Sequence, residues 1–213
     1  MFITLEGIEG SGKTFQTPKI VEFFWGKGHA CVDTREPGGT AIGQKIRAIL
    51  LDPENKNLAS KSELLLYMAD RAQHIDEVIK PALEAGKIVV CDRYFDATVV
   101  YQGIVRGLGD YFVELLHKII LDNLVPDLTL LFDVSAEVGL TRAKGDIDSG
   151  NRDESETRFE QEKIEFHEEV RQGYLTIARK NTERFEIINA GESKEFVWDQ
   201  IAKVLWQRLR KEV

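Results

Sequence analysis

The sequence predicts an α/β fold, a parallel five-stranded sheet with helices on both faces. Short apolar runs rich in β-branched residues alternate with helix-length stretches along the chain, which is the pattern of strands joined by helical crossovers. A glycine-rich segment, Gly7 to Thr14, falls between the first apolar run and the first helical stretch. With 213 residues, 43% hydrophobic and 30% charged, the chain matches one domain, residues 1–213.

Strands are expected near residues 2–6, 30–34, 87–92, 128–134 and 185–188. In a sheet of this kind the ligand crevice lies beyond the carboxyl ends of the strands, so the residues just past each strand carry the most information. One segment breaks the pattern. Residues 145–157 (GDIDSGNRDESET) are polar and flanked by helical periodicity, and they read as a mobile loop of a length that is more often functional than idle.

Gly7-Ile8-Glu9-Gly10-Ser11-Gly12-Lys13-Thr14 fits G-x-x-x-x-G-K-[ST] in the strand–turn–helix context this motif requires. Its glycines let the backbone wrap phosphate groups, and successive N–H groups and a helix N-terminus supply positive dipole ends. Lys13 adds a full charge, and Thr14 offers a hydroxyl to Mg²⁺. A second oxygen ligand is expected at the end of another strand. Asp92, closing Ile88-Val89-Val90-Cys91-Asp92, is the candidate, with capping of the following turn as its alternative role.

Composition and motifs exclude several classes. The net charge of -8 argues against a general nucleic-acid binder. The longest apolar runs, such as Leu128 to Phe132, fall far short of the roughly 20 residues of a membrane span. Met1 leads straight into Phe2-Ile3-Thr4-Leu5 without an export signal, so the cytoplasm is the expected location. Cys31 and Cys91 lie in strand-like runs and read as buried, inert thiols. His29, His74, His117 and His167 show no ligand or triad spacing and read as core or surface residues. Neither D-x-x-G nor N-K-x-D occurs, since Asn55-Lys56-Asn57-Leu58 lacks the acid, so a regulatory GTPase is not expected.

Arg35, Arg47, Arg71 and Arg93 fall where crevice residues are expected, and four arginines suit an anionic acceptor. Singly, each also reads as a solvated surface charge. Together with the glycine-rich loop, the runs Thr34-Arg35-Glu36-Pro37-Gly38-Gly39-Thr40, Tyr67-Met68-Ala69-Asp70-Arg71, Asp92-Arg93-Tyr94 with Tyr101-Gln102-Gly103, and Pro126-Asp127-Leu128-Thr129 resemble the bacterial thymidylate kinases over nearly the whole chain. The resemblance implies a P-loop kinase fold, ATP and Mg²⁺ as cofactors, and transfer of the γ-phosphoryl group of ATP to dTMP. It also implies a homodimer packed through helices and no nucleic-acid or membrane partner.

By the same resemblance, Arg93 holds the acceptor phosphate beside Asp92. Arg71 reads the thymine edge, and Tyr67 stacks on the ring; 67 and 71 are i and i+4 and share one face of a helix. Tyr101 lies against the deoxyribose, while Gln102 and Thr98 hydrogen-bond the base. Glu9 contacts the acceptor sugar, Glu36 sits at the mouth of the pocket, and Arg47 helps hold the acceptor. Arg142 and Lys144 contact ATP. The variable positions of the loop, Ile8, Glu9, Gly10 and Ser11, include no arginine, so the transition-state arginine is expected from the lid at residues 145–157, with Arg158 at its edge preferred over Arg152 within it.

Some positions depart from the family pattern. Phe15 stands where a second Ser or Thr is usual, Pro18 enters the opening turns of the first helix, where distortion of a later turn is expected, Tyr67 replaces Phe, and Ala97-Thr98 replaces Ser-Ser. A kinase for another monophosphate such as dUMP, and a nucleotide-binding module without turnover, are the alternatives these departures leave open.

Overall fold

The computed structural model describes residues 1–150 and 153–210. Five strands, β1 (Phe2–Glu6), β2 (Cys31–Arg35), β3 (Ile88–Asp92), β4 (Leu128–Asp133) and β5 (Phe185–Asn189), form one parallel sheet of order β2-β3-β1-β4-β5. Each lies within one residue of its expected bounds. The Ile, Val, Leu and Phe side chains of β1, β3 and β4 are buried at successive positions rather than at alternate ones. Both faces of the sheet are therefore covered, as apolar strands of a parallel sheet require.

The covering helices are α1 (Lys13–Trp25), α2 (Ala41–Leu51), α3 (Ser60–His74), α4 (Lys80–Glu84), α5 (Phe95–Thr98), α6 (Asp110–Ile120), α7 (Ala136–Asp148), α8 (Ile164–Lys180) and α9 (Lys194–Leu209). Polar side chains set several of their starts: Thr40, Ser135 and Ser193 accept from the backbone N–H groups of Gly43, Val138 and Phe196. Two π-helical turns, Ile75–Ile79 and Val99–Val105, continue α3 and α5. The second widens the helix where Tyr101 and Gln102 occur, a distortion frequent at functional sites. None of the described helices is long and apolar enough to cross a membrane.

The parallel register aligns the carboxyl ends of the strands, with Arg35 beside Asp92 and Asp92 beside Leu5. The chain passes from β1 to β2 and β3 on one side and then to β4 and β5 on the other, so β1 and the loop after it occupy the centre of the crevice.

Three expectations differ from the structure. The segment from 145 is not all loop: α7 continues to Asp148, and Glu154–Glu156 forms a 3-10 turn. Its polar composition hid the helix because α7 turns its small residues Ala136, Gly139 and Ala143 inward and leaves the charged ones outside. Cys31 is half-buried on the edge strand β2, where burial and Asp33 push its thiol up to about 11. Pro18 interrupts nothing, since α1 runs through it, although Thr14 loses the partner its carbonyl would have had.

Beneath the crevice, Arg184 donates to both oxygens of Asp96 at 2.7 and 2.8 Å and to Thr129 Oγ1 at 2.9 Å, tying α5 to the sheet. Removing one member of such a pair leaves the other charged and desolvated, which costs about 3 kcal/mol or more. Asp96→Ala is therefore expected to lower unfolding free energy by about that amount in urea titrations. Lys80→Ala, which breaks an exposed pair with Asp122, is expected to leave the midpoint unchanged.

Candidate active site

The loop after β1 wraps on itself because its glycines take conformations closed to other residues. Gly10 (φ 66°) and Gly12 (φ 93°) are left-handed. A Cβ at Gly10 would collide with the backbone oxygen of Gly139 in α7, so only glycine lets the loop lie against that helix. The Lys13 ammonium is held over the loop by Gly7 O and Ile8 O, both at 2.9 Å, and Ser11 Oγ at 3.0 Å. Burial, then the nearby Arg93, push its pKa down to about 8. Thr14 Oγ1 donates to Asp92 Oδ2 at 3.1 Å, bringing together the two oxygen groups expected to serve Mg²⁺. A hydroxyl and a single carboxylate are hard ligands that leave positions for phosphate oxygens and water, as Mg²⁺ prefers.

A cavity of about 970 Å³ opens beyond the strand ends. Residues 9–14 form its floor. One half lies between Arg142 of α7 and Ser193, Lys194 and Val197 at the start of α9; the other is walled by Glu36, Tyr67, Arg71, Thr98, Tyr101 and Gln102. Asp92 and Arg93 line it as well.

Arg93 follows β3 in the left-handed region (φ 68°), where a non-glycine residue carries strain of the order of 1 kcal/mol or more. Three contacts hold that turn: Arg93 N donates to Leu5 O at 2.9 Å, Tyr94 N to Glu6 Oε1 at 2.8 Å, and Cys91 Sγ to Arg93 O at 3.0 Å. The turn aims the guanidinium at the loop after β1, where Arg93 Nη2 donates to Glu9 Oε1 at 2.9 Å. Tyr101 OH donates to the same oxygen at 2.8 Å, and His167 Nδ1 to Glu9 Oε2 at 3.1 Å. Burial alone would raise the Glu9 pKa, but Arg93, His167 and Lys13 together hold the carboxyl well below its ordinary value. Glu6 is the contrast. It lies buried close to Asp96, and those two effects push it up to about 8 despite Arg93 and the hydroxyl of Tyr174 at 2.8 Å.

In the half of the cavity walled by α3, Arg71 is only 1% exposed. Its Nε donates to Glu36 Oε2 at 2.7 Å and its Nη2 to Thr98 Oγ1 at 3.0 Å. Glu36 Oε1 accepts from His74 Nδ1 at 2.8 Å, and His74 Nε2 meets Thr34 Oγ1 at 2.6 Å. Burial raises the Glu36 pKa, and Arg71 and His74 overcome it, so the carboxyl is held down. Tyr67 and Arg71 share the inner face of α3 as their spacing predicts. Arg47 grips Glu156 of the 3-10 turn through Nε at 2.8 Å and Nη2 at 2.7 Å, and Arg35 Nη2 lies 3.8 Å from the same carboxylate. An anion reaching Arg47 has to compete with Glu156.

Of the two lid arginines, Arg158 is placed differently from expectation. Arg152 lies outside the described residues. Arg158 does not line the cavity: it is 7% exposed, its Nη1 pairs with Glu63 Oε2 at 2.7 Å, and its Nε donates to Leu50 O. A buried carboxylate partner turns the guanidinium into the protein. Arg142 does line the cavity, with Nη1 donating to Ala190 O at 2.8 Å, while Lys144 is exposed on α7 and is not among the lining residues. Phe15, the departure in the loop motif, lines the cavity with its ring 45% exposed and the Lys194 ammonium 4.1 Å from the ring centroid.

Sequence reasoning missed the residues that stand behind the lining: Glu6, Glu63, His167 and Tyr174. Helical spacing carried a signal for three of them. Glu63 continues the 67 and 71 series one turn earlier on α3, and His167 and Tyr174 are seven apart on α8.

A phosphate-binding loop at the centre of a parallel sheet, facing a second pocket lined by arginines, defines a P-loop nucleotide kinase. The comparisons with known proteins agree. The thymidylate kinase family model matches residues 5–201. The thymidylate kinase of Desulforapulum autotrophicum is 52% identical over 209 residues, covering 98% of this chain and 92% of the relative. That of Desulfosudis oleivorans is 53% identical over 203 residues, 95% of each chain. The crystal structure of the Ehrlichia chaffeensis thymidylate kinase superposes with a TM-score of 0.75 at 34% identity, covering 96% of this chain and 98% of the other. The chain belongs to the thymidylate kinase family.

Because His167 meets Glu9 through Nδ1, an asparagine amide can replace that donor in place and a glutamine amide cannot. His167→Asn is expected to keep the parent KM for the acceptor within about threefold, whereas His167→Gln raises it about tenfold, the scale of one lost charge-assisted hydrogen bond. Steady-state kinetics of the two variants checks this, and equal behaviour would show the imidazole to be packing alone.

Proposed function

We propose that this protein transfers the γ-phosphoryl group of ATP to dTMP, giving dTDP and ADP. The observation that carries the reading is a single cavity in which a phosphate-binding loop and an arginine-lined acceptor pocket meet at Arg93. The relatives named thymidylate kinase support the choice of acceptor.

The chain's own groups account for such a transfer by positioning and charge. The backbone N–H groups of residues 10–14 and the start of α1 receive the donor phosphates. The Lys13 ammonium, drawn to the loop by carbonyl oxygens, exchanges those contacts for phosphate oxygens of greater charge. Thr14 and Asp92 would hold Mg²⁺, which supplies neutralisation of phosphate charge when bound. Arg142 and the start of α9 border the part of the cavity that takes the donor nucleoside. Arg93 sits between the halves and orients the acceptor phosphate, whose oxygens are already ionised and need no general base. Tyr67, Arg71, Thr98 and Gln102 take the base, while Tyr101 and Glu9 face the sugar. With Arg158 turned away, neutralisation of the transferring group is assigned to Lys13 and Arg93.

A cytoplasmic homodimer is the proposed form. Exposed apolar side chains on α2, α3 and α6, among them Ile49, Leu65, Tyr111, Phe112 and Ile119, suit packing through helices.

ADP release measured with dTMP, dUMP, dCMP, dGMP and dAMP side by side is expected to show dTMP as the preferred acceptor, with Lys13→Ala lowering kcat by about a hundredfold or more. Preference for another monophosphate would overturn the acceptor, and a variant retaining a tenth of the parent turnover would overturn the role of Lys13.

A further inference from the structure

Glu63 is a carboxylate directly behind the wall of the acceptor pocket, with almost no exposure to solvent. It is held from two sides by cations: Arg158 Nη1 at 2.7 Å on Oε2 and Arg106 Nε at 3.7 Å on Oε1. Paired in this way, its oxygens act as acceptors. The third group on it is the Gln102 amide, whose Nε2 lies 2.7 Å from Oε1.

A carboxamide has a donor end and an acceptor end, and its partners decide which end faces where. A carboxylate can receive only the nitrogen. The Gln102 nitrogen is thereby committed to Glu63, and the oxygen is left as the amide's remaining hydrogen-bonding atom at the cavity wall; among the described residues it takes no hydrogen bond. Among the residues that line the same cavity, Arg71 presents only N–H donors. Donor next to acceptor is the complement of a base edge with a carbonyl next to a ring N–H, as in thymine and uracil. Cytosine presents the reverse, an amino donor next to a ring-nitrogen acceptor.

We infer that Glu63, held by Arg158, is a positioning residue that fixes Gln102 as a hydrogen-bond acceptor and so selects a base bearing a ring N–H next to a carbonyl. The inference rests on the reading of this pocket as the acceptor-nucleotide site. It gives Arg158 a task in the selection of the acceptor, and it explains why a side chain expected over the phosphates is buried against α3 instead. Glu63, Tyr67 and Arg71 are spaced i, i+4 and i+8 on that helix, so one face carries the fixing group and two groups of the pocket wall.

The test compares dTMP and dCMP as acceptors for the parent, Glu63→Gln, Glu63→Asp, Gln102→Ala and the Glu63→Gln/Gln102→Ala double variant, with thermal melting of each. Glu63→Gln lets the Gln102 amide turn over, and the dTMP/dCMP ratio of kcat/KM is expected to fall about tenfold or more, with the loss on KM rather than kcat. Glu63→Asp keeps the charge next to Arg158 but withdraws it from Gln102, and should behave likewise should the glutamine variant fail to fold. In the Gln102→Ala background, Glu63→Gln is expected to cause no further change in the ratio. An equal loss in both backgrounds, or a fall in kcat with the ratio unchanged, would show that Glu63 supports only the fold and would overturn the inference. A parent enzyme that does not prefer dTMP to dCMP would instead overturn the reading of the acceptor site.

Discussion

The ion pair between Glu9 and Arg93 is the contact on which the rest of the site depends. It joins the loop after β1 to the turn after β3, two segments brought side by side by parallel pairing of their strands. Arg93 reaches it only by adopting a left-handed backbone, and Glu9 only because the glycines around it allow the loop to close. Glu9 is buried and Arg93 only 19% exposed, and in such surroundings an ion pair is strong once formed and an unpaired charge is expensive. The pair therefore acts as a rigid corner. In the proposed reading donor phosphates are received on one side of it and the acceptor on the other, so the distance between reacting groups would be set by the sheet and not by mobile side chains.

Around this corner the residues of the site are held by one another and by partners that stand behind the lining. His167 and Tyr174 of α8 hold Glu9 and Glu6, and Tyr174 OH also lies 3.3 Å from Arg93 Nη1. Glu36 and His74 hold Arg71 on the opposite wall. Each carboxylate accepts from more than one donor, which removes the freedom a lone side chain would retain and pre-orients the donors for an anionic ligand. The protein as a whole is acidic, with a net charge of -8, so attraction for nucleotides is local. In the proposed reading it comes from Lys13, Arg93, Arg71 and the dipoles of the loop.

Much of this was legible in the sequence because it is written locally. The strands show as β-branched runs, and the loop shows as glycines and a Lys-Thr pair in a fixed order. The 67 and 71 spacing shows as one helix face. What was not legible depends on residues far apart in the chain. The Glu9–His167 contact spans 158 positions and the Glu6–Tyr174 contact 168, and no local pattern announces such pairs. Arg158 misled for a related reason: its place beside a polar segment suggested exposure, but the charge that decides its direction, Glu63, lies on α3. The histidines were dismissed for lacking ligand spacing, yet His74 and His167 serve as hydrogen-bond donors to carboxylates, a role that needs no spacing at all.

In the proposed reading the Glu9–Arg93 corner organises the acceptor side, while the loop backbone and Lys13 organise the donor side. Calorimetric titration of the Glu9→Gln variant with dTMP and, separately, with a non-hydrolysable ATP analogue tests it most directly. The dTMP affinity is expected to fall about tenfold, the scale of one weakened buried charge-assisted contact, while affinity for the ATP analogue stays within about threefold. Equal weakening of both ligands, or dTMP binding as tight as in the parent, would contradict it.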